Sequence, residues 1–99
     1  MTTTEDLWGA YITSVSVDLA DRRVVIALTL DEGAKRRTAS LVLEGVTDLQ
    51  VHRPSEGWET VELTEAHIRD TTPVRVELVL WTEPNGIVAS CASAEIVDP

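Results

Sequence analysis

Apolar and polar residues alternate with a period of two through most of this chain. That spacing sets one face of a β-strand toward a core and the other toward water. From Ile12 to Leu19, Val15, Val17 and Leu19 share one face, and Ser14, Ser16 and Asp18 share the other. Ala20-Asp21-Arg22-Arg23 is a polar break, after which Val24, Ile26, Leu28 and Leu30 alternate with Val25, Ala27 and Thr29. A four-residue loop pairs Leu19 with Val24, Val17 with Ile26 and Val15 with Leu28, which places these six aliphatics on one face of a hairpin. The charged stretch Asp31 to Arg37, with Gly33, reads as a loop, and Ala39, Leu41 and Leu43 mark a third strand over Thr38 to Glu44. Gly45 interrupts the alternation, as a glycine at a bulge or bend does, and Leu49 and Val51 resume it.

The segment Val74 to Val97 reads as a second hairpin. Pro84 suits the second position of a type I turn and Gly86 the positive φ that closes a three-residue loop. That loop pairs Glu83 with Ile87. It sets Val74 against Ile96, Val76 against Ala94, Leu78 against Ala92 and Leu80 against Ser90. On the opposite face Arg75 meets Glu95, Val79 meets Cys91 and Trp81 meets Ala89. Between the hairpins, Arg53 to Gly57 is a loop. Val61 and Leu63 suggest a short strand over 59–63, followed by one helical turn or an irregular crossover that ends at Thr71-Thr72-Pro73. Residues 1–10 form a loosely ordered arm or at most one helical turn. The whole predicts one all-β domain over 1–99, a single antiparallel meander of six to seven strands. It is curled or folded into a small sandwich or half-barrel, with at most one or two short helical turns.

Composition strengthens this picture. Of 99 residues, 13 are Val, 5 Ile and 12 Thr, side chains that favour a pleated surface, and Phe is absent. Seventeen acids against eight bases give a net charge of −9. Such a charge repels nucleic acid and anionic membranes, so neither is an expected partner. One cysteine allows no internal disulfide, and no apolar run approaches the roughly 18 residues of a membrane span. With no leader-like start, the expected location is the cytoplasm.

Residues able to carry chemistry are scattered. His52 and His67 lack the close-spaced partners of a zinc site, and Cys91 sits among apolar neighbours as a small buried hydrophobe. The glycines at 9, 33, 45, 57 and 86 form no phosphate loop, and no serine stands in a nucleophile elbow. No catalytic residue, cofactor or metal is therefore expected. Glu56, Glu59, Glu62 and Glu65, extended by Asp70, form an acidic set suited to a basic partner protein. Trp58 and Trp81 are the aromatic anchors for such a contact. The small side chains of the last strand, or a free strand edge, offer the alternative of pairing between two copies.

Three stretches carry a resemblance: Ile12-Thr-Ser-Val-Ser-Val-Asp18, Leu41-Val-Leu-Glu-Gly-Val-Thr-Asp-Leu49, and Gly86-Ile-Val through Ala94-Glu-Ile-Val97. In their order the chain resembles the small bacterial all-β immunity proteins of polymorphic-toxin systems and related uncharacterised domains. The resemblance implies a non-enzymatic protein that neutralises a partner by binding it, and assigns no binding residue.

Overall fold

The computed structural model describes residues 4–32, 35–52, 61–80 and 86–98. Among them are eight strands: β1 (Tyr11–Asp18), β2 (Arg23–Glu32), β3 (Lys35–Glu44), β4 (Asp48–Val51), β5 (Leu63–Arg69), β6 (Val74–Leu80), β7 (Ile87–Cys91) and β8 (Ser93–Val97). They form two four-stranded antiparallel sheets, ordered β1-β2-β3-β8 and β4-β7-β6-β5. The two inner faces enclose one core, so the all-β prediction resolves as a sandwich rather than a single meander or a half-barrel.

The core is built by the alternation read from the sequence. Val24, Ile26, Leu28 and Leu30 of β2 and Ala39, Leu41 and Leu43 of β3 face Val76, Leu78 and Leu80 of β6, all buried. Each fully buried Leu, Ile or Val contributes about 1.5–3 kcal/mol of transfer free energy. Of the loop expected over Asp31–Arg37, Asp31 and Glu32 belong to β2 and Lys35 to Arg37 to β3, which stay paired out to Glu32 and Lys35, and residues 33–34 lie outside the described ones. The first hairpin keeps its four-residue loop but slides by two positions, pairing Val17 with Val24 and Val15 with Ile26. A two-residue slide preserves the faces, because side chains alternate with that period.

The C-terminal segment departs furthest from expectation. Val74 pairs with Cys91, Val76 with Ala89 and Leu78 with Ile87, so the predicted pairings of Val74 with Ile96 and Val79 with Cys91 do not form. Gly86 donates its N–H to the Leu78 carbonyl at 3.0 Å. A Cβ on Gly86 would stand 2.8 Å from both that oxygen and Leu80 Cγ, so the close approach requires glycine. The predicted turn over Glu83, Pro84 and Asn85 lies outside the described residues.

What read as one strand from Ile87 to Val97 is two, broken at Ala92. β7 pairs with β6 and β4 in one sheet, and β8 pairs with β3 in the other. Facing this break is Gly45, at φ +64, where β3 leaves the first sheet for β4 in the second. A Cβ on Gly45 would lie 2.7 Å from Ala92 Cβ, and the Ala92 N–H donates to the Glu44 carbonyl at 2.9 Å. Both sheet-to-sheet crossings therefore touch at one corner.

Two β-bulges explain other differences. The β5–β6 register shifts between Leu63 and Glu65, so Leu63 and Ala66 both reach the core from positions three apart. The helical turn expected after Thr64 is thus β-strand. The β1–β2 register shifts likewise between Ile12 and Ser14. Before β1, a single 3₁₀ turn at Glu5–Leu7 inserts Leu7 into the core at 0% exposure, with Ala10 buried beside it. The Gly9 N–H donates to the Leu63 carbonyl at 2.6 Å and the Leu63 N–H to the Ala10 carbonyl at 2.8 Å, which ties the arm to the start of β5.

Candidate binding surface

The inner face of β1 changes character along its length. Ile12 is 2% exposed and Val15 only partly buried, whereas Val17 is 50% and Leu19 85% exposed. By alternation both share the face of Val15. They are nevertheless exposed, Val17 at the end of β1 and Leu19 in the turn that follows. Their side chains line a groove of about 340 Å³ together with Val24, Val46 and Leu49, at the end of the sandwich where β3 crosses to β4. That volume lies within the ~300–1,000 Å³ of ordinary binding pockets.

Local hydrogen bonds hold the groove walls. Asp18 Oδ1 accepts the Asp21 N–H at 3.1 Å, closing a turn in which Arg22 takes a left-handed φ of 51. The Val46 N–H donates to the Arg22 carbonyl at 2.9 Å, tying the turn to the β3–β4 crossing. Asp18, Asp48, Arg22 and Arg23 contribute the polar rim. Arg23 is partnered outside the groove by Glu44, with Nε 3.8 Å from Oε1. Counting Asp21 and Glu44, four carboxylates surround this end against two guanidinium groups.

The acidic set predicted from sequence is only partly assembled here. Glu56, Trp58, Glu59 and Trp81 lie outside the described residues. Glu62 lies beside Gly9, its Oε2 3.6 Å from the position of a Cβ there. Glu65 projects outward from β5 with its Oε2 3.3 Å from His67 Nε2, and Asp70 is exposed just beyond the strand. Bases interleave with these acids on the outer face of the β5–β6 pair. Arg75 Nε donates to Glu77 Oε1 at 2.9 Å, and Arg69 Nε lies 3.6 Å from the same oxygen. The hydrogen bond from Arg75 holds the Glu77 carboxyl below its ordinary pKa, aided by the charges of Arg69, Arg75 and His67 and opposed by burial. This face is an ion-pair lattice of mixed sign.

Cys91 faces the core at 1% exposure, and its thiol donates weakly to the Val74 carbonyl at 3.8 Å. Burial raises its pKa, partly offset by a backbone hydrogen bond at Ser93, which leaves the thiol protonated and unreactive at neutral pH. Sequence reasoning named the acids and tryptophans and missed the groove. The available signal was Leu19 itself, a leucine one residue before a polar turn, where a strand end often outruns the sheet it should cover. Comparison with known protein families, with curated proteins and with solved structures gave no match to this chain.

Proposed function

We propose that this chain is a non-enzymatic protein-binding module that takes a basic partner at the groove beneath the β1–β2 turn. The observation that carries this reading is the pair of solvent-exposed aliphatics, Val17 and Leu19, lining a preformed concave surface. Grouped exposed apolar side chains with a polar rim are characteristic of interaction sites. The charge of −9 supplies long-range attraction for a cationic partner, to which Glu62, Glu65 and Asp70 add from the β5 side. The resemblance to immunity proteins is in keeping with such a role, a cytoplasmic inhibitor that works by occupying another protein.

The test compares immobilised wild-type chain with Leu19→Asp and with the triple variant Glu62→Lys, Glu65→Lys, Asp70→Lys in a lysate of the source cells. A basic protein retained by the wild type, released by salt and lost with Leu19→Asp supports the groove. Loss only with the triple variant moves the contact to the β5 side. Identical retention by all three chains overturns the reading.

A further inference from the structure

We infer that the partner enters as an extended segment that joins the first sheet as a new strand alongside β1. This deepens the proposed function and rests on it. β1 is an edge strand: among the described residues, no backbone hydrogen bond joins Tyr11–Asp18 to any segment other than β2. An edge strand turns half of its backbone N–H and C=O groups outward, a template for another chain unless something guards it.

The other three edges are guarded. β4 is four residues long and begins at Asp48. β8 is five residues long, with Glu95 at its centre. β5 carries Glu65, His67 and Arg69 and is bonded at its start by the arm at Gly9 and Ala10. β1 alone runs uncharged from Tyr11 to Val17, and its bulge is confined to the first positions, which leaves Ser14 to Asp18 regular.

The groove sets the chemistry of the incoming strand. Cross-strand neighbours share a face, so residues of the segment beside Val15 and Val17 point to the inner side, where Val15 packs on the core and Val17 lines the groove, and are aliphatic. Residues beside Ser14, Ser16 and Asp18 point outward, where small hydroxyl side chains leave room and Asp18 favours a cation. The fitting segment thus alternates aliphatic with basic residues. A second copy of this chain is a poorer occupant, because it brings two surfaces of charge −9 together.

The probe is a short peptide alternating valine and arginine, labelled for fluorescence anisotropy. Two further peptides carry N-methyl groups on alternate backbone nitrogens, one set on each edge of the extended peptide. Only one edge of an added strand faces β1, so the expected result is asymmetric. One methylated isomer loses binding by about tenfold or more while the other matches the parent. Amide hydrogen exchange over residues 14–17 slows with the parent peptide alone and with the tolerated isomer.

Equal binding by both isomers, together with loss of binding in Leu19→Asp, overturns strand addition and leaves groove binding intact. No saturable binding by the parent peptide also overturns strand addition. Peptide binding that neither methylation nor Leu19→Asp affects removes both readings. Light scattering that shows a dimer abolished by Ser16→Lys assigns the edge to a second copy and overturns the inference. Ser16 and Leu19 are exposed, so these variants keep the fold, which circular dichroism verifies.

Discussion

β1 and β5 are edge strands of similar length, eight and seven residues, and each opens with a bulge, yet the molecule treats them in opposite ways. β5 is covered by the N-terminal arm at its start and lined with paired charges along its outer face. Among the described residues β1 pairs only with β2, and the aliphatics of its inner face pass from core to solvent. Two leucines summarise the contrast. Leu7, on the arm, is 0% exposed, and Leu19, in the turn just after β1, is 85% exposed. An unguarded edge is a template for pairing, and the proposed strand addition at β1 rests on this difference between the two edges.

The contrast can be broken in order of effect. Leu7→Ala removes a fully buried side chain and releases the cover from β5. It should cost about 2–5 kcal/mol in urea unfolding and raise amide exchange at residues 63–65. Gly45→Ala strikes the corner from which both sheets hang. Its φ of +64 and the 2.7 Å approach of Ala92 predict a loss of about 2 kcal/mol or more, measured in the same way. Glu77→Gln loosens the ion pairs that guard the second sheet and should cost about 1 kcal/mol or less.

The sign of the pH dependence at Glu77 is fixed by its lowered pKa. A carboxyl held below its unfolded value stabilises the fold above that value, and the contribution disappears as pH falls through the folded pKa. The stability difference between wild type and Glu77→Gln should therefore be present at pH 7 and vanish in acid, as thermal melts across that range will show. Leu19→Ser, the smallest effect, should shift stability by no more than about 0.5 kcal/mol. A large loss there would mean that Leu19 belongs to the core and that the two edges are alike.

Strands β2, β3 and β6 were legible in the sequence because their alternation is unbroken and most of their inner positions are buried. β5 was not. Its bulge moves the inward positions to Leu63, Ala66 and Ile68, a spacing whose first step imitates a helix. The switch of sheet at Ala92 was hidden by a run of small residues, although the parity of the large ones revealed it. Ile87 is odd and Ile96 even, and a single strand cannot bury both on one face. Of the binding surface, residue type was readable and coverage was not. Val17 and Leu19 carry the same alternation as Val24 and Ile26, yet the first pair is exposed and the second buried, a difference that alternation alone does not encode.

The contact between Gly45 and Ala92 bears on how the protein is made. Residues from opposite halves of the chain meet there, and β3 gains β8 as its outer neighbour only after the last strand exists. During synthesis the first hairpin can form early from local contacts, while the first sheet stays open until residues 93–97 leave the ribosome. The nascent chain then exposes the outer edge of β3 as well as that of β1. A ribosome-bound chain halted before residue 93 should thus be the form most exposed to mispairing in the cell.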